Sequence, residues 1–207
     1  MMGRRSEHSL DEIKAMALDA AERIVAEQGL GALSTRNIAK AMGYTSGTLY
    51  LVFKNLDDLV LQLNRRTIDG MGKAVQGALK EGAPAEQNVR SICRAYLRFG
   101  REHKPHWELL FHRRWPDGFV YPAWYMAEMG KSLVPFEQEL ARLIGPKGSP
   151  HDVTLAGRAI WAAMQGIHGL YASGRMERLG VSNLEELIDY QVDLLLKGLA
   201  VKSGHKA

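Results

Sequence analysis

Apolar residues recur along most of this chain at three- and four-residue steps, and no stretch sustains a two-residue alternation, so the pattern predicts helices and no sheet. Ser9-Leu10-Asp11-Glu12 reads as a capping box that opens a first helix with the stripe Leu10, Ile13, Ala17, Ala20, Ala21 and Ile24, ended at Gly29. Ser34 caps a short second helix, Thr35 to Met42, with Ile38, Ala39 and Met42 inward and Gly43 closing it. A third short helix is expected from about Ser46 to Phe53, with Leu49 and Phe53 inward. Asn55 then caps a long fourth helix with Asp57 and Asp58 in its first turn and the stripe Leu56, Leu59, Val60, Leu63 and Thr67. Gly70, Gly72 and Gly77 each cost a helix about 1 kcal/mol relative to Ala, so beyond Asp69 that helix should weaken or pack closely on a neighbour. Further helices are expected at about Glu86 to His103, Pro105 to Arg113, Pro122 to Ile144, Asp152 to Gly174 and Leu184 to Val201.

The stretch Thr35 to Lys54 carries the most information: a short helix, a turn containing Gly43, then a second short helix. Small Ala39 permits close approach, and Ile38, Met42, Tyr44, Leu49 and Val52 can fill the space between, which is the pattern of a helix-turn-helix. In that motif the start of the second helix enters the major groove of duplex DNA, which puts Thr45, Ser46, Gly47 and Thr48 against base edges. Tyr50 and Lys54 suit phosphate oxygens, and Thr35 and Arg36, at the start of the preceding helix, can reach a phosphate or a base. Charge agrees locally more than globally. The whole chain is only mildly basic, 27 Lys and Arg against 23 Asp and Glu, but from Ser34 to Leu56 it carries Arg36, Lys40 and Lys54 and no acid. Arg4 and Arg5 either extend as a minor-groove arm or remain a solvated, flexible terminus over residues 1–8.

Residues 9 to 63 resemble the DNA-binding domain of the TetR family of bacterial regulators. The resemblance rests on Ala20-Ala21-Glu22-Arg23-Ile24 with Gln28-Gly29, on Thr35-Arg36-Asn37-Ile38-Ala39-Lys40-Ala41-Met42-Gly43, on Gly47-Thr48-Leu49-Tyr50 with Phe53, and on Leu59. Two positions depart from the family pattern: Val52 stands where His is common and Leu56 where Lys is common. Both usual residues resemble phosphate contacts, so non-specific affinity should fall or shift onto Lys54 and Arg36. Trp161-Ala162-Ala163-Met164 leading to His168-Gly169 bears a fainter likeness to a subgroup whose C-terminal domain carries a Trp, His, Gly signature. The resemblance implies an all-α protein, with a three-helix helix-turn-helix domain over 9–69 and a helical effector-binding and dimerisation domain over 70–207. It also implies a homodimer formed through the last two long helices. The stripe Leu184, Leu187, Ile188, Val192, Leu195 and Leu199 fits such an interface and fits an internal core nearly as well.

All four tryptophans lie after residue 100, among other aromatic residues and methionines. Trp107, Phe111, Trp124, Tyr125, Trp161, Met164 and His168 are therefore candidates for lining a pocket for a small apolar or aromatic effector. Taken singly each reads as core; as a group they argue for a pocket. His103, His106 and His112 with Glu102 and Glu108 invite a metal reading, but Pro105 interrupts their spacing, and a solvated basic segment fits better. No metal and no cofactor is expected. Cys93 is the only cysteine, which excludes an internal disulfide and suits a reducing cytoplasm. No run of about 18 apolar residues occurs and no apolar segment follows Arg4 and Arg5, so the chain is expected to be cytoplasmic and neither exported nor membrane-bound. No GxSxG, Walker-type or HExxH string is present, so no enzyme is expected. The expected function is a DNA-binding transcriptional regulator, a repressor that holds a palindromic double-stranded operator as a dimer and releases it on binding ligand. The alternative is a helical small-molecule-binding protein or enzyme whose helix-turn-helix has degenerated.

Overall fold

In the computed structural model, residues 8–146 and 148–202 are described, and every regular element among them is a helix. Arg4 and Arg5 lie outside the described residues. Helix α1 (Leu10–Gln28) opens on a complete capping box between Ser9 and Glu12. A 3-10 turn at Leu30–Ala32 leads to α2 (Thr35–Met42), where the Ser34 side chain accepts from the Asn37 amide. Helix α3 is a single turn (Ser46–Leu49), shorter than the periodicity predicts. The amides of Leu51 and Val52 reach back only three residues, to Thr48 and Leu49, which tightens the backbone and reverses the chain. The Phe53 amide still reaches the Leu49 carbonyl at 2.9 Å, so its ring stays in the core.

Helix α4 (Leu56–Ala78) follows, with its Asp58 amide bonded to Asn55 Oδ1 at 2.9 Å. It does not break at the glycines after Asp69. At Gly70 an added Cβ would sit 3.3 Å from the Phe99 ring, so the glycine cost is offset there by close packing. The rest are α5 (Ala85–Glu102), α6 (Lys104–His112), α7 (Ala123–Ile144), α8 (Pro150–Ala172), the short α9 (Arg175–Arg178) and α10 (Leu184–Lys202). Helix α8 starts two residues before the expected Asp152, because Ser149 and Asp152 form a second capping box around Pro150.

The chain divides into two compact units. The first comprises the residues up to Ile68 together with His103–Tyr125. Its core gathers Ala17, Ala21, Val25, Ile38, Leu49, Phe53, Leu59 and Leu63, with Leu109 of α6 among them. Helix α6 and the loop after it lie in this first unit. Arg113 pairs with Asp57 and lies over the Trp115 ring, and Asn64 Nδ2 donates to the Tyr125 hydroxyl at 3.4 Å.

The second unit comprises Asp69–Glu102 and the residues from Met126 onward. In it α5, α8 and α10 pack on one another, with Arg90 of α5 paired to Asp193 of α10 and Arg94 to Asp189. Leu184, Ile188 and Val192 are buried inside this unit. That half of the α10 stripe therefore serves the unit's own core. Leu155, Ala159, Ala162, Gly166 and Leu170 form an exposed stripe of small and apolar residues on α8, and Tyr190 and Leu194 are exposed on α10.

Candidate nucleic-acid interface and ligand cavity

The α2–α3 turn is set by Gly43, whose backbone lies in the left-handed region at φ 74°. From there the Tyr44 amide reaches back to the Ala39 carbonyl at 2.9 Å, which closes α2. Ile38, Ala39 and Leu49 anchor the inner faces of both helices. Asn37 Nδ2 donates to the Ala32 carbonyl at 2.8 Å and ties α2 to the 3-10 turn. The Tyr44 hydroxyl and His8 Nδ1 share a hydrogen bond of 2.8 Å.

With the inner face held, the outer face is left to solvent. Arg36, Thr45, Gly47, Tyr50 and Lys54 are exposed, and Thr35, Ser46 and Thr48 half-buried. Thr45 takes the cap position of α3 without a side-chain bond to the helix amides. Its hydroxyl is paired instead with that of Thr48, at 3.4 Å, so both stand on the leading edge of the helix. Thr45, Ser46, Gly47, Thr48, Tyr50 and Lys54 thus lie on or beside α3, while Thr35 and Arg36 open α2. Leu51, 66% exposed, stands beside Tyr50 at the end of α3 and was not among the nominated residues. Periodicity assigned it no role because the helix was expected to continue past it. Val52 and Leu56 pack against the core of this unit. At both departures from the family pattern, a core contact thus takes the place of a polar side chain.

The second unit holds a cavity of about 260 Å³. Met71 and Val75 of α4, Ile92, Cys93 and Tyr96 of α5, Met129, Leu133 and Phe136 of α7, and Ile160, Trp161 and Met164 of α8 face it. Arg158 is its one charged wall residue. Trp161 Nε1 donates to the Tyr96 hydroxyl at 3.0 Å, and burial pushes the Tyr96 pKa up. Burial likewise pushes the Cys93 thiol up to about 12, which keeps it neutral and unreactive. Of the effector candidates, Trp161 and Met164 line this cavity and His168 is buried in the same helix. Trp107, Phe111, Trp124 and Tyr125 belong to the first unit, where Trp107 is buried 4.7 Å from Phe111. The remaining wall residues escaped notice because an apolar helix face looks the same whether it meets a neighbour or a void.

No helix among the described residues is long and apolar enough to cross a membrane, and no group of three or more His, Cys, Asp or Glu is placed to hold a metal ion. Residues 17–63 match the family described as bacterial regulatory proteins, tetR family, and residues 89–195 match the tetracyclin repressor-like C-terminal domain. The chain is 32% identical over 75 residues to the fatty acid metabolism regulator protein of Bacillus subtilis, which covers 36% of this chain and 39% of that relative. It therefore spans well under half the length of this relative. Among solved structures, a protein of unknown function from Rhodococcus sp. RHA1 superposes with a TM-score of 0.74 at 20% identity, covering 96% of this chain and all of the other. The TetR family transcriptional regulator PfmR from Thermus thermophilus gives a TM-score of 0.60 at 21% identity over 87% of this chain and 97% of its own.

Proposed function

Because the chain belongs to the tetR family of bacterial regulatory proteins, we propose that it is a dimeric, ligand-responsive transcriptional repressor of the cytoplasm. The carrying observation is the α2–turn–α3 unit, whose inner face is anchored by Ile38, Ala39 and Leu49 while its outer face presents hydroxyls, Arg36 and Lys54 without an acid. In this reading Thr45, Ser46, Gly47 and Thr48 meet base edges, and Thr35, Arg36, Tyr50 and Lys54 hold the phosphates. The exposed stripe on α8, with Tyr190 and Leu194 of α10, supports pairing of two subunits through these helices. Two recognition helices then read an approximate palindrome with half-sites on the order of 34–36 Å apart. The apolar cavity is the effector site, and its occupation favours a state in which that spacing is wrong. By linkage, operator DNA weakens ligand by the same factor. No catalytic role is assigned to the chain.

The test is selection of bound sequences from random duplex DNA, followed by titration of the winner at several salt concentrations. An enriched palindrome with a steep salt slope, lost on Thr48→Ala or Tyr50→Ala, is the expected result. Failure of any sequence to enrich overturns the DNA reading and leaves a helical ligand-binding protein.

A further inference from the structure

We propose that the cavity of the second unit takes a small alkyl or aryl monocarboxylate, with its apolar body among the methionines and its carboxylate on Arg158; this rests on the reading of that cavity as the effector site. The wall itself narrows the choice. Its polar groups are already engaged: the Ser132 hydroxyl donates to the Met129 carbonyl at 2.7 Å, and the Tyr96 hydroxyl accepts from Trp161 and lies 3.4 Å from Gln165 Oε1. Cys93 stays a neutral thiol, so the interior favours an apolar body.

Arg158 is different. Among the described residues it pairs with Glu137 alone, at 3.0 Å from Nη1, and its side chain is 47% exposed. A guanidinium carries five N–H donors and binds carboxylates with two of them in parallel, so a second carboxylate can be added without displacing the first. The protein already does this elsewhere: Arg66 Nη1 holds Asp19 at 2.6 Å and Glu22 at 2.9 Å. A cationic ligand would meet like charge, and a polyanion would find a single cation on the wall. A wholly apolar ligand would make no use of the guanidinium N–H groups that Glu137 leaves free. One negative charge on an apolar body answers all three constraints.

The cavity, about 260 Å³, has room for a short alkyl chain or a single ring. Met71, Met126, Met129 and Met164 supply flexible thioethers that fit an alkyl chain or a ring alike.

The experiment is calorimetric titration of the full-length protein with octanoate and with 3-phenylpropionate, each compared with its neutral amide. The acid should bind about tenfold more tightly than the amide. Arg158→Gln should close that gap while leaving amide affinity unchanged, which also shows that the variant is folded; Glu137→Gln should widen it. Equal affinities for acid and amide in the native protein overturn the proposal, as does an acid preference that survives Arg158→Gln. Met164→Trp, which fills the cavity, separates the two levels of inference. Equal acid and amide binding that this variant abolishes removes the carboxylate and leaves the effector site standing. If neither compound binds, the carboxylate proposal falls.

Discussion

Gly43 holds the recognition turn in a left-handed conformation, and nothing lies within 4 Å of where its Cβ would be. Gly43→Ala therefore isolates a backbone cost and should lower stability by about 1 kcal/mol in urea unfolding with an unchanged denaturant slope. Leu49, 1% exposed, anchors the opposite side of the turn, and Leu49→Ala should cost about 2–5 kcal/mol by the same measurement. His106 sets a different dependence. Burial lowers its pKa from the ordinary 6.5, opposed by the Glu22 charge and a hydrogen bond with the Glu22 backbone, and reinforced by nearby His103. The folded pKa lies below the unfolded one, so the unfolded chain binds more protons as the solution is acidified. Stability is whole above the ordinary value of 6.5 and is lost as pH falls through the folded value. The thermal midpoint should drop between about pH 8 and about pH 5, and less so in His106→Gln. An equal drop in both proteins would remove His106 as its source.

Among the elements, the helix starts were legible because a cap is written in adjacent residues: Ser9 with Glu12, Ser34 and Asn55 all bond as their positions imply. Ser34→Ala should accordingly cost about 1 kcal/mol and loosen the start of α2 in amide exchange. The outer face of the helix-turn-helix was legible for a related reason, since a turn glycine between two short apolar stripes leaves little choice of register. What periodicity withholds is the identity of the partner. The stripe of α6 announces that Trp107, Leu109 and Leu110 are buried, yet nothing in it says that Leu109 joins the core around α1 to α4. The cavity was hidden likewise, because Met129, Leu133 and Phe136 recur at helical spacing whatever stands opposite them. Asn88 was hidden by sequence distance. It is buried in the first turns of α5, where its side chain accepts from the Lys80 amide at 3.0 Å and donates to the Lys80 carbonyl at 3.2 Å.

At the scale of the whole molecule, the proposed pairing of two subunits rests on α8 and α10. Each of these helices buries one face in its own unit and leaves another exposed, and the exposed face of α8 is small or apolar at five helically spaced positions, Leu155, Ala159, Ala162, Gly166 and Leu170. Small side chains let a partner helix approach closely, and the leucines supply apolar area to bury. A charge placed in such a contact is desolvated without a partner, whereas on a free surface it is tolerated within about 0.5 kcal/mol. Leu170→Glu combined with Leu194→Glu should therefore leave the fold and its thermal transition nearly unchanged while converting the protein to a monomer in analytical ultracentrifugation. The same variant should bind an isolated half-site as the native chain does but lose on the order of 10²- to 10⁴-fold on the full palindrome, because the second recognition helix no longer arrives already tethered to the first. A monomeric variant that keeps full affinity for the palindrome would detach DNA reading from pairing, and a variant that remains dimeric would place the subunit interface on some other face.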